Sequence, residues 1–274
     1  MNLGLLLRAW RETLWTSLVF AGVLGAVSAI FAYALPRVQA RFMQRSFVPP
    51  AVREFRDALF GFDSAGAGVS EVAFSIAWSH PVILALLSAH AIVVCTRLPA
   101  GEIERGTADV LFALPVSRLK LYASETAAWL GVALLVLGAI PLGSYVGSRF
   151  IDPAYRPDWS RLGVVFVNLA FVYAAIGCGS LLAATLTDRR TRAVLAVVIA
   201  TVFSILINFL YTLDPALAFT KKLAFLSVLD YYRPIRTLMD GTWPVRDLAI
   251  LGGVVAGFWA LAAAHFVRRD LTTT

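Results

Sequence analysis

The sequence predicts an all-α integral membrane protein with six transmembrane helices. The chain has 274 residues, of which 59% are hydrophobic and only 15% charged, and its mean hydropathy of +0.76 is well outside the range of a soluble domain. A helix crosses a bilayer core of about 30 Å with about 20 apolar residues. Six stretches without Lys, Arg, Asp or Glu are long enough, at residues 14–35, 72–96, 126–148, 162–186, 193–213 and 248–267. The alternating segments of about ten residues that are typical of an outer-membrane barrel are missing.

Residues 1–13 are predicted to form an interfacial helix along the inner leaflet. One helical stripe carries the apolar side chains Leu3, Leu6, Leu7, Trp10 and Leu14, and the other side carries Arg8, Arg11 and Glu12. The apolar stretch that follows, at about 22 residues, is longer than the core of about 7–15 residues in a signal peptide. We therefore expect it to be a retained span.

The loop at residues 36–71 contains a second amphipathic pattern. After Pro49 and Pro50, helical spacing separates an apolar set from a charged set. The apolar set is Val52, Phe55 and Leu59, and the charged set is Arg53, Arg56 and Asp57. The pattern predicts a helix that lies either in the membrane interface or in solvent.

The loop at residues 97–125 contains the charged segment EIERGTADVLFALPVSR, residues 102–118, between two apolar stretches. Thr107 is the predicted N-cap of a short helix, and Asp109 lies in its first turn, where the helix dipole favours a negative charge. Pro115 disfavours helix at Leu114, so about seven residues are helical. Ser117 is expected to cap the next span. The apolar edge predicted for the short helix consists of Val110, Leu111 and Leu114.

The loop at residues 214–247 is expected to be a re-entrant or interfacial segment. Its apolar core is too short to span, and aromatic side chains that suit an interface surround it. These aromatic residues are Phe225, Tyr231, Tyr232 and Trp243.

The shortest loop indicates the orientation of the spans. TDRRTR, residues 187–192, contains three Arg in six residues, and short loops rich in Arg stay in the cytoplasm. With six spans, both termini are then cytoplasmic. The net charge of +7 indicates contact with anionic membrane lipids rather than with nucleic acid.

Four polar residues inside the spans are candidates for a substrate path or a proton relay, because polar groups in the membrane are often functional. They are His80, His90, Asn168 and Asn208. The alternative is that they bond to neighbouring helices and that Pro81 makes a kink. Cys95 and Cys178 lie in different spans without metal-ligand spacing, so packing roles are expected and no metal or cofactor is predicted.

Small residues four apart indicate close helix packing, within the chain or at a dimer seam. The pairs are Gly22 with Ala26, Gly143 with Gly147, and Gly253 with Gly257. Packing within the chain is the favoured interpretation.

The segment at 102–118 resembles the cytoplasmic loop between spans two and three of ABC-2 type transporter permeases. In that family an acidic residue, Gly-Thr, a short apolar helix and a Leu-Pro-x-Ser-Arg sequence form a coupling helix. The matching residues are Glu104, Gly106, Thr107, Leu111, Leu114, Pro115, Ser117 and Arg118. One departure stands out, since Ser124 and Glu125 replace the family's usual Gly-Lys.

The resemblance implies a single permease domain over residues 1–274, in a bacterial cytoplasmic membrane, that works as a homodimer or heterodimer and is an exporter. Its coupling helix would bind a separate ATP-binding cassette ATPase subunit. The chain itself has no GxxxxGK[ST] sequence, so ATP hydrolysis is expected on that partner and not on this subunit. Two alternatives stay open: an ATP-independent secondary carrier and an intramembrane enzyme.

Overall fold

The computed structural model describes residues 3–44, 69–213 and 215–269, and within them it contains helices and no strand. Six helical segments are long and apolar enough to cross a membrane, as predicted. In chain order the α-helices of five residues or more are α1 (Leu3–Gln44), α2 (Val69–Ser79), α3 (Pro81–Cys95), α4 (Ala108–Phe112), α5 (Arg118–Ser148), α6 (Trp159–Thr185), α7 (Arg190–Leu213), α8 (Pro234–Asp240) and α9 (Val245–Arg268). A π-helix at Arg97–Gly101 and a single α-helical turn at Glu102–Glu104 lie between α3 and α4. The second span combines α2 and α3, while α4 and α8 are short.

Helix α1 runs without a break from the predicted interfacial segment into the first span. Its 42 residues extend about 63 Å at 1.5 Å per residue, about twice the thickness of the bilayer core. The stripe that faces the bundle begins with Leu5 and Ala9, whereas Leu3 and Leu7 of the predicted stripe are exposed. The amphipathic segment after Pro50 lies outside the described residues.

The second span is interrupted at His80, as the Pro81 kink predicts. His80 has an extended backbone, with φ −61° and ψ 133°. A residue before proline disfavours helical backbone angles, and proline is well suited to the first turn of the helix that follows. Nδ1 of His80 accepts a hydrogen bond from the backbone N–H of Val82 at 3.3 Å, so the side chain caps α3.

Helices α1 and α5 are parallel and their backbones touch. A Cβ atom built on Gly143 would lie 2.1 Å from the carbonyl oxygen of Gly25, and one on Gly147 would lie 2.2 Å from that of Ala29. The predicted pair Gly143 and Gly147 therefore packs within the chain. Gly22, Gly253 and Gly257 have no described atom within 4 Å of such a Cβ position.

Between α7 and α9, the described residues 215–244 contain no spanning helix, in agreement with the short apolar core of this segment. It consists of 3-10 helices at Pro215–Leu226 and Val228–Tyr231, followed by α8. Gly241 ends α8 with a left-handed backbone at φ +62°, a conformation that glycine adopts without strain. The segment packs on α2, α6, α7 and α9, which places it against the bundle rather than free of it.

Candidate functional site

The loop that was predicted to bind a partner is organised around the buried carboxylate of Glu102. This side chain is only 2% exposed. It accepts hydrogen bonds from Arg8 at 3.0 Å, from Arg105 at 2.7 Å and from the hydroxyl of Thr107. The Thr107 hydroxyl donates to the Glu102 carboxylate, and its oxygen accepts no backbone N–H at the start of α4. Thr107 stands at the N-cap position, as predicted, but makes no side-chain capping bond.

Gly106 turns the chain from the Glu102 segment into α4. Its φ is +69°, in the left-handed region that favours glycine. The backbone N–H of Thr107 then donates to the carbonyl of Glu102 at 3.0 Å, and that of Gly106 to Ile103 at 3.0 Å. The glycine of the predicted motif is therefore required by the turn itself.

The apolar edge predicted for α4 is divided between the interior and the surface. Val110 is 73% exposed and Leu114 is 41% exposed, but Leu111 is 3% exposed and belongs to the core. Ala108 and Leu111, three positions apart on one side of the helix, are both buried, whereas Asp109 and Val110 are exposed. Leu111 is thus corrected from a surface contact to an internal anchor. The helix ends at Phe112, earlier than predicted.

The end of the loop is joined to the last helix through Arg118. Its guanidinium donates to the carbonyl of Arg269 and lies 5.5 Å from the ring centroid of Phe112. Phe112 in turn packs on Phe266 of α9, with ring centroids 5.9 Å apart. Ser117 caps α5 as predicted, since its hydroxyl accepts from the N–H of Lys120 at 3.3 Å. Pro115, between these contacts, is exposed.

The start of the loop is joined to α7. A carboxylate oxygen of the exposed Glu104 accepts from the backbone N–H of Arg190 at 3.1 Å, at the first residue of that helix. The Arg190 guanidinium donates to the carbonyl of Val93 at 2.7 Å. The loop is therefore attached to the beginning of α7 as well as to the end of α9.

A run of alternating charges continues from Glu102 into the bundle. Arg8 bonds both Glu102 and Glu12, the latter at 2.8 Å. Arg97 then pairs with Glu12 of α1 and with Glu125 of α5. We call this set the ion-pair chain; its members are Arg105, Glu102, Arg8, Glu12, Arg97 and Glu125. Sequence reasoning missed it, because Arg97 and Glu12 are 85 positions apart and no spacing rule relates them.

His90 lies in a linear chain of hydrogen bonds that connects four helices. It contacts Ser17 through Nε2 at 2.9 Å and Tyr173 through Nδ1 at 2.9 Å. The Ser17 hydroxyl donates to the carbonyl of Thr13, so it accepts from Nε2–H. Trp129 donates to the Tyr173 oxygen at 2.8 Å, so the Tyr173 hydroxyl donates to Nδ1. Each ring nitrogen of a neutral His90 is thereby satisfied, and no group is left for a substrate.

The other three predicted path residues do not join His90. His80 is ten positions away on the far side of the helix break, and its ring lies against Phe31 with centroids 4.5 Å apart. Asn168 is buried, and its Nδ2 donates to the carbonyl of Tyr231 at 3.1 Å, which fixes the segment before α9. The backbone of Asn208 lies in α7, but its side chain is outside the described residues.

The described residues contain no group of three His, Cys, Asp or Glu that could hold a metal ion. What the site offers instead is a surface of two apolar side chains, Val110 and Leu114, on a loop attached to α1, α7 and α9. No protein-family model matches the chain, and no curated protein is significantly similar to it.

Proposed function

We propose that this chain is the permease subunit of an ABC transporter of the ABC-2 type, which moves a substrate when a separate ATPase subunit hydrolyses ATP. The observation that carries the proposal is the division of the α4 residues. Leu111 fixes the short helix to the core, while Val110 and Leu114 remain exposed beyond the end of the spans. Two exposed apolar side chains, Val110 on the short helix and Leu114 two residues after its end, suit recognition by a groove on a partner. The resemblance of the 102–118 segment to a coupling helix identifies the expected partner.

The attachments of the loop support a mechanical role. A displacement of α4 by the partner acts on α1 through Arg8 and Glu102, on α7 through Glu104, and on α9 through Arg118. Transport by such a system needs a membrane element with two states whose populations depend on the nucleotide bound to the ATPase. In this proposal, the loop transmits that bias to three helices at once.

The proposed membrane arrangement follows from the same assignment. The 97–125 loop and both termini face the cytoplasm of a bacterial cell, and the first turns of α1 lie in the inner interface. The segment at 215–240 is re-entrant from the outside. The subunit works as a homodimer or heterodimer and exports its substrate. The three arginines in the short loop at residues 187–192 support this orientation.

The direct test is to purify the full-length chain with an affinity tag from its own host membranes. We expect an ATPase with a phosphate-binding loop to copurify in a fixed ratio, and ATP hydrolysis to require both subunits. Hydrolysis by the isolated chain would contradict the proposal, as would a preparation that transports substrate without any ATPase.

A further inference from the structure

A small cavity with a mostly apolar lining lies beside the inner end of the ion-pair chain. Its volume of about 10 Å³ is enough for about one water molecule. The polar part of its lining comes from Thr13 of α1, Cys95 of α3 and Glu125 of α5, and the indole of Trp129 lies on the same wall. Leu181 of α6 also lines the cavity, so it lies at a junction of four helices, next to the loop described above.

Arg97 lies next to this junction, because it pairs with Glu125 of the cavity lining. Its side chain is 9% exposed, and its two terminal nitrogens pair with Glu12 of α1 and Glu125 of α5. A planar guanidinium can hold two carboxylates in fixed directions, which an ammonium group cannot. Arg97, two positions after the end of α3, therefore connects α1 to α5.

The closed arrangement leaves one group of Arg97 unsatisfied. Its buried Nε has no hydrogen-bond partner among the described residues. An unpaired buried donor is unfavourable, and water that entered the junction would satisfy it. The closed state therefore carries the desolvation cost of this unpaired N–H, and opening of the junction to water removes that cost.

We propose that Arg97 is the latch of a gate that separates the Cys95 cavity from the solvent at the loop end of the bundle. Arg8 connects Glu12, one of the two carboxylates held by the latch, to Glu102 at the base of α4. Movement of the loop therefore acts directly on the latch. This inference deepens the proposed function and rests on it only for the identity of what moves the loop.

The labelling rate of the native Cys95 thiol measures whether the gate is open. The chain has two cysteines, so in a Cys178→Ser background Cys95 is the sole thiol. In full-length protein reconstituted into lipid nanodiscs, we expect a water-soluble maleimide to label Cys95 slowly, because its side chain is buried. Arg97→Lys keeps the charge and loses the fork, and it should increase the labelling rate at least tenfold. Arg233→Lys, in the ion pair with Asp230, is the matched control and should leave the rate unchanged.

A second pair of variants tests the connection to the loop. Glu102→Gln weakens the contact with Arg8 and should also accelerate Cys95 labelling. Glu104→Gln changes a neighbouring carboxylate that bonds α7 instead and should not. If Glu102→Gln has no effect, the loop does not act on the latch and that part of the proposal is wrong.

Two outcomes would overturn the gate. One is a Cys95 labelling rate in Arg97→Lys equal to that of the parent. The other is equal acceleration at Cys178, measured in a Cys95→Ser background, because Cys178 does not line the cavity and its labelling would report general loosening. No ATPase is present in this assay. A failure here is therefore distinct from a failure of the ATPase to copurify.

Discussion

Nε2 of His90 and the hydroxyl oxygen of Ser17 lie 2.9 Å apart and join α3 to α1 inside the bundle. On the other side of the ring, Tyr173 connects α3 to α6 at the same distance. A histidine in a membrane span is often considered a candidate for proton transfer. Here both nitrogens are used in fixed bonds between helices, so the residue holds the bundle together.

Replacing His90 should therefore affect stability before transport. His90→Leu removes two bonds between helices, and such bonds contribute about 0.6–1.7 kcal/mol each in membrane proteins. We expect a clear fall in the apparent melting temperature of the purified protein in detergent. His80→Leu, which removes one capping hydrogen bond and keeps an apolar side chain beside Phe31, should cause a smaller fall. A stable His90→Leu protein that has lost transport would restore the substrate-path interpretation.

Val110→Asp is expected to abolish binding of the ATPase while the chain remains folded. A carboxylate placed in an apolar groove loses its hydration, with a penalty of several kcal/mol, which corresponds to at least about a hundredfold loss of affinity. Val245→Asp is a close control, because Val245 is 69% exposed against 73% for Val110. Copurification measures ATPase binding, and the melting temperature measures whether the chain remains folded. Normal ATPase binding by Val110→Asp would show that α4 is not the contact.

Leu111→Asp should behave differently from Val110→Asp although the two residues are adjacent. Leu111 is 3% exposed and packs in the core, so the buried carboxylate has no compensating partner there. We expect poor insertion or a strongly reduced yield of folded protein, measured by size-exclusion chromatography in detergent. A well-folded Leu111→Asp protein would contradict the inward position of this side chain.

Gly143→Ala should disrupt the contact between α1 and α5. The new methyl group would lie 2.1 Å from the carbonyl oxygen of Gly25, so the helices must separate. Gly138→Ala on the same helix is the control, because nothing described lies within 4 Å of its Cβ position. Alanine is favoured over glycine in a helix by up to about 1 kcal/mol. The control should therefore be neutral or slightly more stable, and equal melting temperatures for the two variants would contradict the close packing.

Ser117→Ala tests the predicted cap of α5. The hydroxyl bonds the N–H of Lys120, and loss of an N-cap typically reduces stability by about 0.5–2 kcal/mol. We expect a modest decrease in melting temperature. Faster hydrogen exchange of the first amides of α5, measured by mass spectrometry, would locate the effect. An unchanged exchange rate at Lys120 would show that the cap is dispensable.

Features that depend on neighbouring residues were predictable from the sequence. Apolar length identified the six spans, Pro81 the break at His80, and Ser117 the cap of α5, because each depends on the local chain. The apolar core of the segment before the last span was also predicted to be too short to cross the membrane, and the described residues 215–244 contain no spanning helix.

Features that depend on contacts between distant segments could not be predicted in the same way. The bond between the Thr107 hydroxyl and Glu102 was not predicted because the burial of Glu102 was unknown. Leu111 was assigned to the surface because a helix of about seven residues has no clear periodicity. In the sequence, Arg97 directly follows the apolar stretch at residues 72–96, where a charged residue usually flanks a span. Only the fold shows that it lies between carboxylates from two other helices.

The direct backbone contact between α1 and α5 determines how the bundle deforms. Where peptide groups touch at Gly25 and Gly143, no side chain can change rotamer to absorb a displacement. We therefore expect the two helices to move together as one rigid unit. Bending is expected instead at the break in the second span at His80, because continuous helical hydrogen bonding is interrupted there. A load applied at the N-terminal end of α5 would then travel through the full thickness of the membrane with little attenuation, while the α2 half of the second span would pivot around its end.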